Sequence, residues 1–93
     1  MDAAHHLRDY ILRCGDGTLY TGWTNDLAHR LAMHRSGSGA KYTRAFKAVD
    51  LAYFEELPDR KTALRREYAL KQLAKKQKEE LVRQFSQKSL KIP

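Results

Sequence analysis

The chain has one cysteine in 93 residues, Cys14, which leaves no partner for an internal disulfide and excludes a Cys-rich zinc site. That usage suits a reducing, cytoplasmic compartment. No run of about 18 apolar residues occurs, so no helical membrane span is expected. The first residues lack an apolar stretch behind a basic start, so no secretory signal is expected. Only two prolines are present, and one of them, Pro58, stands where a strand pattern ends. The length leaves room for one domain and none for a second large recognition domain. Carboxylates are outnumbered: 11 Asp and Glu face 18 Lys and Arg, for a formal charge of +7. Such an excess attracts polyanions, of which phosphate backbones are the commonest, although a merely soluble basic surface has the same composition.

Met1 to His6 show no periodicity and are expected to form a loose tail; His5 and His6, being adjacent, do not share a face of a helix or strand. Leu7 to Cys14 and Leu19 to Trp23 are rich in Tyr, Leu and Ile, and Gly15-Asp16-Gly17 divides them, which predicts a β-hairpin. Thr24-Asn25-Asp26 supplies N-cap candidates for a helix running to about Arg35, with Leu27 and Leu31 toward the core. Ser36 to Lys47 breaks the pattern with glycines and cations and reads as a loop. Val49, Leu51 and Tyr53 alternate with Asp50, Ala52 and Phe54 as a third strand. Pro58-Asp59 then opens a helix to Leu73 or Ala74, and a shorter amphipathic helix follows, with Leu81, Val82 and Phe85 as its apolar stripe. Ser86 to Pro93 is expected to be a loose basic tail. The order β-β-α-β-α-α, with strands too close for crossover helices throughout, predicts an α+β fold: a small three-stranded, mostly antiparallel sheet flanked by helices. The domain is expected over residues 7–85.

Four features bear on chemistry. Tyr10 and Tyr20 sit on the two arms of the hairpin; each can be an ordinary strand tyrosine, or a phenol that exchanges a proton with an attacking water. Arg30 and His34, four residues apart, share one helix face. Such a pair is usually a solvated edge, but a guanidinium beside a cleft can grip a phosphate and lower the pKa of a nearby phenol. Glu67 falls within the sector spanned by Ala63, Leu64, Tyr68, Leu70 and Ala74, where a carboxylate needs a partner. Lys71 at i+4 is one candidate and a divalent cation is the other. Finally, Lys41, Tyr42, Arg44 and Lys47 combine cations with an aromatic in a glycine-containing loop, a mixture suited to tracking a backbone and stacking a base.

The order of these residues resembles the GIY-YIG nuclease family. The counterparts of its two triplets are Arg8-Asp9-Tyr10 and Tyr20-Thr21-Gly22, which keep both tyrosines and the second glycine. Thr24-Asn25-Asp26-Leu27 leads to Arg30 at the spacing of the family's helix arginine, His34 follows as in the junction-resolving branch, and Arg65-Arg66-Glu67 matches the helix that carries the metal-binding glutamate. The resemblance spans Leu7 to Val82 and is closest to small single-domain bacterial members that carry the loop Gly39-Ala40-Lys41-Tyr42-Thr43-Arg44-Ala45. It implies an endonuclease that hydrolyses phosphodiester bonds in DNA, single-stranded or branched, with RNA as the other substrate class, and a separate protein partner as a route to targeting. Tyr10 and Tyr20 would line the site, one of them orienting the water. Arg30 would stabilise charge on the phosphate, and Glu67 would hold one divalent ion, Mg²⁺ or Mn²⁺. His34 would contact phosphate or carry a proton. The chain departs from the pattern at Arg8 and Asp9, which replace glycine and isoleucine, and at Trp23, where excision-repair members carry lysine. No match to the family's late asparagine is found. The competing readings are a nucleic-acid-binding module that keeps the fold without catalysis and a protein-interaction domain, which the charge disfavours.

Overall fold

A computed structural model describes residues 7–36 and 48–90. The elements are β1 (Arg8–Cys14), β2 (Leu19–Thr24), α1 (Leu27–Arg35), β3 (Ala48–Glu56), α2 (Arg60–Gln72) and α3 (Lys75–Leu90). The three strands form one antiparallel sheet in the order β2-β1-β3, the expected α+β architecture. The central strand carries the consecutive run Tyr10-Ile11-Leu12, all three at most 1% exposed. A strand reads as continuously apolar when both of its faces are covered, as they are here.

The hairpin turn depends on one glycine. Gly17 adopts φ 87°, its N–H donates to Cys14 O at 2.9 Å, and Cys14 N–H donates to Thr18 O at 2.8 Å. Asp16 braces the turn by accepting from both the N–H and the hydroxyl of Thr18. A side chain at position 17 would be strained in this left-handed backbone even with open space around it.

Caps start the helices where the sequence indicates. Asp26 accepts from His29 N–H at 3.1 Å to open α1, and Asp59 accepts from Thr62 N–H at 2.7 Å to open α2. At α3, Gln77 Oε1 accepts from Ala74 N–H at 2.9 Å, the glutamine half of a capping box. The helix expected to end near Phe85 continues to Leu90, because no glycine or proline interrupts residues 86–90.

One face of the sheet buries Tyr10, Leu12 and Cys14 against Tyr20, Leu27, Leu31, Leu51 and Phe54. That Leu51 and Phe54 share this face departs from the simple alternation expected of β3. A register irregularity opposite Ile11 and Leu12 makes Ala52 the extra residue and reverses the side to which the residues after it point. On the other face Arg13 grips Glu79 of α3 with two bonds of 2.6 Å, and Glu55 meets Arg66 of α2 at 2.6 Å. Phe85 of α3 closes the β3 side with edge-on ring contacts to Tyr53 and Phe54.

α2 presents a different face from the expected one. Leu64 and Tyr68 are 43% and 68% exposed, whereas Ala63 and Leu70 are fully buried. The inward stripe is therefore Ala63, Arg66, Glu67 and Leu70, an i, i+3, i+4, i+7 set within a sector of roughly 100°. Leu64 and Tyr68 lie outside that sector, and Ala74 lies beyond the end of the helix.

Candidate active site

The hairpin and α1 bring three of the expected residues into direct contact. Tyr10 Oη lies 3.0 Å from His34 Nε2 and 3.4 Å from Arg30 Nε. The guanidinium can only donate, so the phenol oxygen accepts on that side and keeps its O–H for the imidazole. Tyr20 completes the group: its ring is 5.4 Å from that of His34, against 5.9 Å for Tyr10. The four-residue spacing that puts Arg30 and His34 on one helix face thus aims both at the tyrosine hairpin.

The closeness depends on Gly22, which stands directly opposite Tyr10 in the β1–β2 register. A Cβ at position 22 would lie 2.6 Å from Tyr10 Oη and 2.8 Å from its Cζ. The second triplet's glycine is a steric requirement of the first triplet's tyrosine.

Burial sets the electrostatics. Tyr10 is 1% exposed, and desolvation raises its pKa above the usual 10, with the bond to Arg30 and its positive charge offsetting only part of the rise. The expected lowering of a phenol's pKa by the helix arginine is therefore outweighed at Tyr10. Burial, followed by the Arg30 charge, lowers the pKa of His34 below its usual 6.5, which favours a neutral imidazole. His34 is fully buried beside the two tyrosines.

Glu67 occupies the inward face of α2 with its side chain 17% exposed, and Lys71 Nζ lies 3.6 Å from its Oε2. The expected i, i+4 partner is present, but at a distance too long for a hydrogen bond. The Glu67 charge acts on both Tyr10 and Asp9. Among the described residues no three His, Cys, Asp or Glu side chains converge as a metal cage. Lys41, Tyr42, Arg44 and Lys47 lie outside the described residues.

The sequence reading missed the role of Asp9. Its carboxylate is fully buried, and neither oxygen has a hydrogen-bond partner. Its pKa rises from 3.8 to about 7, first through desolvation, then through Glu55 and Glu67, with Arg66 opposing. The available signal was a carboxylate beside Tyr10-Ile11-Leu12, where a strand buried on both faces has no water to offer it.

Comparison with known proteins identifies the family. The family model described as "GIY-YIG catalytic domain" matches residues 10–80. A UPF0213 protein of Halobacterium salinarum is 48% identical over 77 residues, covering 83% of this chain and 97% of the relative. One from Clostridium perfringens is 49% identical over 82 residues, covering 88% and 85%. The solution NMR structure of a UPF0213 protein from Bacillus halodurans is similar with a TM-score of 0.53 at 42% identity, covering 91% of this chain and 84% of that one. With the family model spanning most of the chain and both tyrosines, Arg30 and Glu67 inside the match, the protein belongs to the GIY-YIG family.

Proposed function

We propose that the chain is a metal-dependent endonuclease that hydrolyses phosphodiester bonds in DNA, single-stranded or branched, through Tyr10, Tyr20, Arg30, His34 and Glu67. The observation that carries this reading is the convergence of Arg30 and His34 on Tyr10 Oη, with Tyr20 packed beside them. A guanidinium, an imidazole and two phenols in one cluster suit in-line attack of water on phosphorus, in which the P–O bond to the leaving oxygen breaks as the new one forms.

The burial difference divides the tyrosines. Tyr10 is too enclosed to meet a substrate and acts as the post that orients Arg30 and His34. Tyr20 is half-buried and lines an open groove, so its hydroxyl is the one that reaches the attacking water. Arg30, firmly protonated beside Tyr10, neutralises charge on the non-bridging oxygens. Neutral His34 accepts the Tyr10 hydroxyl bond and so fixes the phenol oxygen that orients Arg30.

The donor set fits a hydrated hard cation held by few protein ligands. Glu67 is partly exposed and only loosely paired, and Mg²⁺ commonly accepts one or two carboxylates with water and phosphate completing its shell. When bound, Mg²⁺ or Mn²⁺ supplies charge stabilisation at the phosphate and the leaving oxygen. The test is incubation of the purified protein with labelled single-stranded, duplex and branched DNA and with RNA, with and without Mg²⁺ or Mn²⁺. Metal-dependent cleavage of DNA is expected. Binding to every substrate without cleavage of any would replace this reading with that of a binding module.

A further inference from the structure

β2 is an edge strand: β1 pairs with one side of it, and no described strand pairs with the other. Along that outer side runs a groove made of two adjoining hollows. One, of about 320 Å³, is lined by Leu19, Tyr20, Thr21, Lys71 and Lys78. The next, of about 190 Å³, is lined by Thr18, Leu19, Lys75 and Lys78. Leu19 and Lys78 belong to both, so the groove is continuous from Tyr20 to the hairpin end of the strand.

The groove is cationic where the helix would be better without cations. Lys75 and Lys78 sit in the opening turn of α3, which contains no acidic residue, and a positive charge there opposes the helix dipole. Lys71 shares its charge with Glu67 at 3.6 Å, but at Lys75 and Lys78 the carboxylates in reach compensate little. Glu79, which faces Lys75, is saturated by two bonds from Arg13. Asp16, also facing Lys75, is engaged by Thr18. Among the described residues no carboxylate forms an ion pair with Lys78.

We propose that this groove is the track along which one strand of a nucleic acid leaves the Tyr20 side of the site, its phosphates held by Lys78 and Lys75 and, nearest the site, by Lys71. The proposal rests on the nuclease reading only in taking nucleic acid as the partner. Two hollows of a few hundred Å³ in line beside one β-strand are of a size for a single backbone. The occupant must be anionic to answer the lysines, and continuity with Tyr20 makes it a flank of the strand that enters the site. Lysines as point charges, with threonines between them, suit phosphate tracking without base readout.

The test compares wild type with Lys75→Ala/Lys78→Ala and with Lys76→Ala/Arg83→Ala, a pair on the same helix that removes equal charge outside the groove. Binding of a labelled 20-nucleotide single strand, as DNA and as RNA, is followed by fluorescence anisotropy across a salt series without divalent metal. The groove variant should lose about 1.4 from the log–log salt slope, two contacts at about 0.7 each, and bind at least tenfold more weakly at low salt. The control pair should keep a near wild-type slope. Equal losses in both variants would reduce the effect to net charge, and an unchanged groove variant would place the strand elsewhere; either result overturns the proposal. So would tighter binding of poly-glutamate than of either single strand. Circular-dichroism melting checks that the variant folds, with Lys75→Gln/Lys78→Gln as the alternative if it does not. Because binding is read without cleavage, the groove can fail while the nuclease reading stands, and the reverse.

Discussion

Replacing Asp9 by Asn should remove a pH-dependent weakness from the centre of the sheet. The carboxylate is fully enclosed, unpartnered and close enough to Glu55 and Glu67 to feel both charges, so its pKa is about 7 in the folded chain against an ordinary 3.8. Below about pH 4 the group is protonated in folded and unfolded chains alike. As pH rises from there toward 7, the unfolded chain releases a proton that the folded chain keeps, and the stability held by the neutral form is lost. Above about 7 the full penalty applies, a ceiling of about 4 kcal/mol at 1.36 kcal/mol per unit. Asn copies the protonated acid and does not titrate. Urea unfolding of wild type and Asp9→Asn at pH 5 and pH 8 isolates this contribution together with its coupling to Glu55 and Glu67, since groups remote from Asp9 cancel in the difference. The variant should gain about 2–3 kcal/mol relative to wild type between the two pH values, with unchanged m-values. A difference that does not vary with pH would mean that Asp9 finds a partner or water in solution, and the account of its burial would be wrong.

Gly22→Ala should push the Tyr10 ring off His34 and Arg30, because the new Cβ would stand 2.6 Å from Oη; a loss of about 1–3 kcal/mol in urea unfolding, accompanied by lower activity, is expected. Tyr20→Phe should abolish most cleavage with little change in melting, whereas Tyr10→Phe should lower both cleavage and stability, because Tyr10 holds buried His34 and part-buried Arg30. The cleavage rate of wild type should not reach a plateau set by Tyr10 below pH 9, because burial keeps that phenol above its usual 10; a plateau near pH 7 that Tyr10→Phe alone abolishes would contradict this.

Local signals carried the architecture. The Gly-Asp-Gly turn, the Asp26 and Asp59 caps and the spacing of Leu27 and Leu31 each act within a few residues, and the elements begin where these signals stand. The features that were not legible came from contacts between elements. The extra residue at Ala52 shows only in the pairing with β1, so the alternation along β3 predicted the wrong side for Phe54. On α2, apolar Leu64 and Tyr68 outweighed Arg66 in a reading by residue type, although Arg66 faces the sheet because Glu55 awaits it there. In the candidate site, spacing aligned Arg30 with His34, but only the fold reveals that His34 is sealed beneath Tyr10 and that Tyr20 is the more open phenol. Asp9 looked like a departure from a motif; its cost depends on α2 covering it.

The central claim is that Glu67 holds the divalent ion of a nuclease, and Glu67→Gln tests it most directly. The amide keeps the size of the side chain and removes the charge. As a structural partner of Lys71 at 3.6 Å, Glu67 would contribute no more than about 0.5 kcal/mol, and Gln would leave cleavage intact. As the metal ligand, it should lose cleavage by orders of magnitude in Mg²⁺ while binding of the DNA persists and the metal-free melting temperature holds or rises. A Glu67→Gln variant that binds and cuts at the wild-type rate would contradict the assignment.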